Sequence, residues 1–211
     1  MPAPKRTRLA PQARRAQLIE LGVRLLATRR LDELSVELIA QTAGISRGLL
    51  FHYFSSKQAF HLEVARAAAA QMLRRTEPDP ALAPLDALRA ALGAFVDYVE
   101  ENPDSYRSLV RGAASGDAEM RAIFDETRAE LANRILDVLS RSGVDLDRKA
   151  ELAVHGYVAY AEECVIHWLA DHRFAADELL DLLTRALPAV ILAASDEPLD
   201  GFPAVLHTAA S

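Results

Sequence analysis

The stretch 35–57, SVELIAQTAGISRGLLFHYFSSK, constrains this chain most. It reads as two short helices joined by a turn too tight to let them separate. Ser35 is a good N-cap, because its hydroxyl can accept from an unpaired N–H of the first turn. Glu37 places an anion in that turn, where the helix dipole favours it. Val36, Ile39, Ala40 and Ala43 give a narrow apolar face at helical spacing. Gly44 stops the helix, since a residue tolerant of positive φ closes it cheaply. Ile45 packs under the turn. Ser46 then caps a second helix carrying Leu49, Leu50, Phe51, Tyr53 and Phe54. Two helices around a three- to four-residue turn with Gly in it describe a helix-turn-helix. In that motif the second helix lies in the major groove of DNA, with its N-terminal residues at base edges.

The segment IAQTAGISRGLLFHYFSSKQAF also resembles the DNA-binding signature of the tetracycline-repressor (TetR) family. The shared pattern is Ile-Ala, then Ala-Gly-Ile-Ser, then Gly, an apolar-aromatic pair, an aromatic or His, Phe, and a Lys opening the next helix. It runs without gaps from about Arg15 to Phe60. The rest of the chain is similar to the family only in length and helical texture. The resemblance implies an all-α fold: a three-helix DNA-binding domain, then a helical ligand-binding and dimerisation domain paired through its last two helices. Two residues depart from the pattern. Phe51 stands where members usually have Tyr, so a phosphate-contacting hydroxyl is missing. Arg30 stands where Gly often ends the first helix, so that helix must stop without its cheapest cap.

About nine helices are expected. The first, 10–28, carries an apolar stripe of Ala16, Ile19, Val23 and Leu26 that should pack on the motif. Ser55 to Gln58 reads as a capping box opening a helix that runs to about Arg75. A Pro-rich break over 77–84 follows. Further helices are expected over 85–102, 104–114, 118–142, 147–172 and 175–194. The third-last of these turns Met120, Phe124, Thr127, Leu131, Ile135 and Val138 inward. Four parts result: a basic arm over 1–9, a DNA-binding domain over 10–56, a ligand-binding and dimerisation domain over 57–194, and a loose tail over 195–211.

Composition supports this division. Hydrophobic residues make up 51% of 211, ample for a core, and the net charge is −6. Through Phe60 ten basic residues face four acidic ones, a net +6, which leaves −12 for the remainder. Such asymmetry suits a nucleic-acid-facing part joined to an acidic part that avoids DNA. No apolar run reaches the eighteen or so residues of a membrane span, so no membrane partner is expected. The single Cys164 excludes an internal disulfide and fits a reducing cytoplasm.

For DNA the candidates are Ser46, Arg47, Gly48, Leu49 and His52 on the second helix, with Ser35 and Gln41 on the first. Arg47 is the long basic side chain of that face. Arg reads guanine bidentately but also grips phosphate. Leu49 suits a thymine methyl. Tyr53 and Lys57 match family positions that contact phosphate. Phe51 reads as core at least as readily as a DNA contact. The arm with Lys5, Arg6 and Arg8 reads equally as a minor-groove or backbone contact and as a solvated tail.

For a small molecule the resemblance implies a pocket among the C-terminal helices. Phe95, Tyr98, Tyr106 and Phe124 are candidates to line it, with Tyr160, Glu163 and His167 from the segment HGYVAYAEECVIHWLADH. An aromatic stripe at helical spacing is core by default. The row Glu151, His155, Glu163 and His167 has i, i+4 spacing but lacks a His-Glu-x-x-His arrangement, so no metal and no cofactor are expected. The chain contains no G-x-S-x-G, no paired Cys and no phosphate loop. The expected function is a ligand-responsive homodimeric repressor, released from a palindromic double-stranded operator by a small-molecule effector. The alternatives are a helical enzyme or scaffold that keeps the motif for packing, or an activator of the same fold.

Overall fold

A computed structural model describes residues 10–104, 106–107, 110 and 117–195 of the chain. All regular structure among the described residues is helical. The elements are α1 (Pro11–Leu26), a 3-10 turn (Leu31–Glu33), α2 (Val36–Ala43), α3 (Arg47–Tyr53), α4 (Lys57–Arg75), α5 (Pro84–Glu101), α6 (Ala118–Arg141), α7 (Arg148–Asp171) and α8 (Ala176–Ala194). The helix expected over 104–114 is described only in part. The arm over 1–9 and the tail beyond Ser195 lie outside the described residues.

Two apolar clusters form the interior. The N-terminal one gathers Leu18, Leu26, Leu34, Ile39, Leu50, Phe54, Phe60 and Val64 from α1 to α4, and it also takes Met120 and Ile123 from α6. The C-terminal one joins Met72 of α4 to α5, α6, α7 and α8. Two helices therefore serve both clusters. α4 contributes Phe60 to Ala68 to one and Met72 to the other, and α6 enters one by its first turns and the other by Ala132 and Leu139. A cut at residue 57 falls at the head of a shared rod.

Several expected details move. Ala16 is exposed, and α1 instead buries Leu18, Gly22 and Leu26, spaced by four. The reason is close approach to α4. A Cβ on Gly22 would meet Phe60 Cζ at 3.0 Å and Val64 Cγ2 closer still. The helix turns its smallest residue to its nearest neighbour. The cap of α4 is Ser56, whose hydroxyl accepts from the Ala59 N–H at 3.0 Å, not Ser55. Gln58 closes no capping box. Its amide donates to Asp117, itself the N-cap of α6, and so ties the heads of α4 and α6 together. As the missing Gly at position 30 implies, α1 ends on Ala27 in right-handed geometry. Pro188 lies inside α8, where it removes the N–H that would serve the Thr184 carbonyl.

The Gly22 contact makes a test. Gly22→Leu forces a branched side chain between α1 and α4, and overpacking of this kind costs about 1–3 kcal/mol. We expect that loss in urea denaturation, with a matching fall in DNA affinity because α1 and α4 hold α3 in place.

Candidate nucleic-acid interface and the cavity behind it

The turn between α2 and α3 is built as its residues demand. Gly44 takes φ 63°, ψ 39°, and the Ile45 N–H bonds back to the Ala40 carbonyl at 2.9 Å. Ser35 and Ser46 are spent as caps, their hydroxyls accepting from the Leu38 and Leu49 N–H groups at 3.1 and 3.2 Å. Leu50 is the buried residue of α3, which pins the helix by one side and frees the other.

That free side brings most of the expected residues together. Gln41, Ser46, Arg47, Gly48, Leu49 and His52 are all exposed across α2 and the outer face of α3. Tyr53 is half-buried, its ring edge-on to His52 at 5.4 Å between centroids. A Cβ on Gly48 would meet nothing nearer than Ser46 Oγ at 4.0 Å, so the fold itself does not require glycine there. Phe51 corrects its reading as core. It is 46% exposed, because the one inward position of this short helix is taken by Leu50.

Two charged partners are additions of the tertiary structure. Arg47 Nη2 lies 3.0 Å from Glu37 Oε1, so the carboxylate read as a dipole partner holds the exposed arginine at the head of α3. An exposed pair of this kind contributes less than about 1 kcal/mol and is readily exchanged for a phosphate or a base. Lys57 donates from Nζ to the Asp32 carbonyl at 3.1 Å while staying at the surface. Behind them, His61 is buried and pairs through Nε2 with the Leu34 carbonyl at 2.9 Å. Burial holds this imidazole below its ordinary pKa, so it stays neutral and its Nε2–H donates. That bond ties α4 to the loop that sets the angle of α2.

A cavity of about 150 Å³ opens in the C-terminal cluster, walled by α4 to α8 and almost wholly apolar. Phe95, Tyr98, Tyr106 and Phe124 all line it. So does the inward stripe of α6, from Phe124 through Thr127, Leu131 and Ile135 to Val138. Tyr160, Glu163 and His167 do not. They lie on the outer face of α7, where His167 Nδ1 and Glu163 Oε1 are 3.2 Å apart and both exposed. The cause is the phase of α7. It buries Val154, Tyr157, Val158, Ala161 and Val165, which turns residues 152, 156, 160, 163 and 167 outward. The aromatic of α7 that lines the cavity is Tyr157, whose hydroxyl donates to the Leu183 carbonyl at 2.9 Å.

The charged residues of the cavity wall were not foreseen. Arg128 of α6 holds Glu162 of α7 through two bonds, Nε–Oε2 at 2.8 Å and Nη2–Oε1 at 2.9 Å. Glu162 is only 7% exposed, and its carboxylate raises the Arg128 pKa further. A carboxylate buried on an apolar helix face needs such a partner. Its i−4 and i−1 neighbours Val158 and Ala161 were the available sequence signal.

Two substitutions separate the roles on the outer face. Arg47→Ala should lower operator affinity and relax preference at one symmetric base position per half-site, by about 1–3 kcal/mol if the contact is to guanine. Selection from randomised operators reads this directly, and an unchanged motif makes Arg47 a backbone clamp. Lys57→Ala should weaken specific and random DNA alike and reduce the salt slope by about 0.9 per half-site.

Comparison with known proteins agrees with this architecture. Residues 18–64 match the bacterial regulatory proteins of the tetR family, and residues 84–190 match the tetracyclin repressor-like C-terminal domain. The HTH-type transcriptional activator FasR of Mycolicibacterium smegmatis is 28% identical over 79% of this chain and 77% of its own length. The HTH-type transcriptional repressor KstR2 of the same organism is 34% identical over 43% of this chain and 45% of its own. The crystal structure of a tetR-family transcriptional regulator from Streptomyces coelicolor superposes with a TM-score of 0.79 at 26% identity, covering 94% of this chain and 88% of that one. With its helix-turn-helix face, its shared rods and its two matching segments, the chain belongs to the TetR family of DNA-binding transcriptional regulators.

Proposed function

We propose that this regulator is a homodimeric repressor that leaves a palindromic operator when a small molecule fills the C-terminal cavity. The observation that carries the reading is the double membership of α4 and α6. Ala65, Ala68 and Met72 of α4 belong to the cavity wall, and the same helix begins at Lys57 beside α3. Phe124 and Arg128 of α6 belong to that wall, while Asp117 at its head takes the Gln58 amide. A molecule that binds one arrangement of these rods better shifts the population toward it. In a dimer this changes the separation of two recognition helices against half-sites of fixed spacing. Catalysis has no part in the reading, and the protein would act in the cytoplasm.

Pairing through α7 and α8 is supported by what those helices leave uncovered. The α8 residues Leu179, Leu183, Leu187 and Ile191 are consumed inside the protomer. The apolar side chains still exposed include Leu152 at 71% and Tyr160 at 40% on α7, and Leu182 and Leu192 on α8. Between Leu152 and Tyr160 lies Gly156, where a Cβ would meet nothing within 4 Å. A small residue on such a face lets a second helix approach closely, as in a four-helix interface. Tyr160, Glu163 and His167 then belong to the pairing surface. An activator role is the second reading, favoured by the similarity to FasR.

The test uses the DNA upstream of the protein's own coding region. The wild type should scatter light as a dimer at micromolar concentration and bind that DNA with steep salt dependence. Leu152→Glu with Tyr160→Glu should yield a folded monomer whose operator affinity falls by about 100-fold or more, because one half-site no longer helps hold the other. Transcription in vitro from the same promoter then separates repressor from activator by its sign.

A further inference from the structure

The polar groups of the cavity wall are nearly all spent inside the protein. The Thr76 and Thr127 hydroxyls donate to carbonyls one turn back, Met72 at 3.0 Å and Ile123 at 2.6 Å. Tyr98 and Tyr157 donate to the Ala68 and Leu183 carbonyls at 3.3 and 2.9 Å. Arg134 donates to the Leu73 carbonyl at 2.6 Å, and Arg128 and Glu162 hold each other. Tyr106 differs. It is 7% exposed and lines the cavity, its ring packs edge-on against Phe95 at 5.7 Å, and among the described residues its hydroxyl makes no hydrogen bond. Its oxygen is not sealed from the cavity, since the buried side-chain atom left without a partner among the described residues is Thr184 Oγ1, so this hydroxyl is a donor open to a ligand.

The surroundings of that hydroxyl define what can accept from it. Burial, then the Glu162 charge, raise the Tyr106 pKa well above its usual value, so the group remains a phenol and a donor. Arg128 and Glu162 line the same cavity as Tyr106, and both act on it electrostatically. Their charges cancel. A carboxylate arriving there would lie beside Glu162 and find the arginine already engaged, and an ammonium would lie beside Arg128. Either adds an uncompensated buried charge. The remaining wall offers alkyl and aromatic carbon, and an apolar cavity of about 150 Å³ accepts a molecule the size of benzene.

We propose that the effector is an uncharged, mainly apolar molecule with one hydrogen-bond acceptor, such as a ketone or ester carbonyl, that receives the Tyr106 hydroxyl in the cavity that the Arg128–Glu162 pair also lines. This rests on the reading of the cavity as the effector site. Three probes of matched size separate the classes: ethylbenzene without an acceptor, acetophenone with a neutral one, and benzoate with an anionic one. Binding to the full chain is followed by NMR through methyl shifts of Leu131 and Ile135. Acetophenone should bind about fivefold tighter than ethylbenzene, the usual scale of one hydrogen bond, and at least about tenfold tighter than benzoate. Tyr106→Phe should bring acetophenone down to ethylbenzene and leave ethylbenzene unchanged. Benzoate binding as tightly as acetophenone, three equal affinities, or an unaltered preference in Tyr106→Phe would each overturn the proposed class while leaving the cavity a binding site. No methyl shift with any probe would instead overturn the reading of the cavity itself.

Discussion

The structure depends on the packing of α4 between two apolar clusters. Phe60 and Val64 press against α1 at Gly22, and Met72, two turns on from Val64 on the same rod, enters the C-terminal cluster. The middle of the helix, 65–70, is ARAAAA, which keeps it both rigid and thin. Small side chains here serve two masters. Ala65 and Ala68 are buried in the N-terminal cluster and also line the cavity. A close-packed interior absorbs little displacement locally, so a shift in this part of α4 would be expected to reach its head. The α6 helix repeats the arrangement from the other side, fixed to α4 by the bond between Gln58 and Asp117.

The DNA-facing end follows the opposite physics. Its buried residues are few and well fixed, and its outer face carries weakly held polar groups. Arg47 rests on Glu37 and Lys57 on a backbone carbonyl, both in water. Such contacts stabilise the free protein little, which leaves both cations available to an anionic partner. By contrast the bonds that position this face are buried: the His61 link to Leu34 and the Leu50 anchor. Rigid support beneath exchangeable charge suits a surface that must present the same geometry to DNA each time.

The α7 helix has its own division. One side supplies Tyr157, Ala161 and Glu162 to the cavity wall, and the other presents Leu152, Gly156 and Tyr160 to the outside. The wall of the cavity and the proposed pairing surface are thus two sides of one helix, about 10 Å across with its side chains. If both surfaces are used as proposed, only that thickness separates a bound molecule from a second subunit.

Local chemistry made much of this legible in the sequence. The caps Ser35 and Ser46, the positive φ of Gly44 and the pattern around them specify the helix-turn-helix because each acts within a few residues. Periodicity likewise placed the α6 stripe that proves to line the cavity, and the helix count and the Pro-rich break needed no more than propensity. Rotation of whole helices was another matter. Which side of α1 turns inward was decided by the approach of α4 to Gly22, and which side of α7 by its neighbours, so Ala16 and Tyr160 ended outside. Adjacent Glu162 and Glu163 are chemically identical in the sequence. Only the arrival of Arg128 from 34 residues away made one a buried ion-pair partner and left the other in water. Apolar spacing fixes that a helix has a buried stripe, but partners distant in the chain decide where that stripe points and which charges can follow it inside.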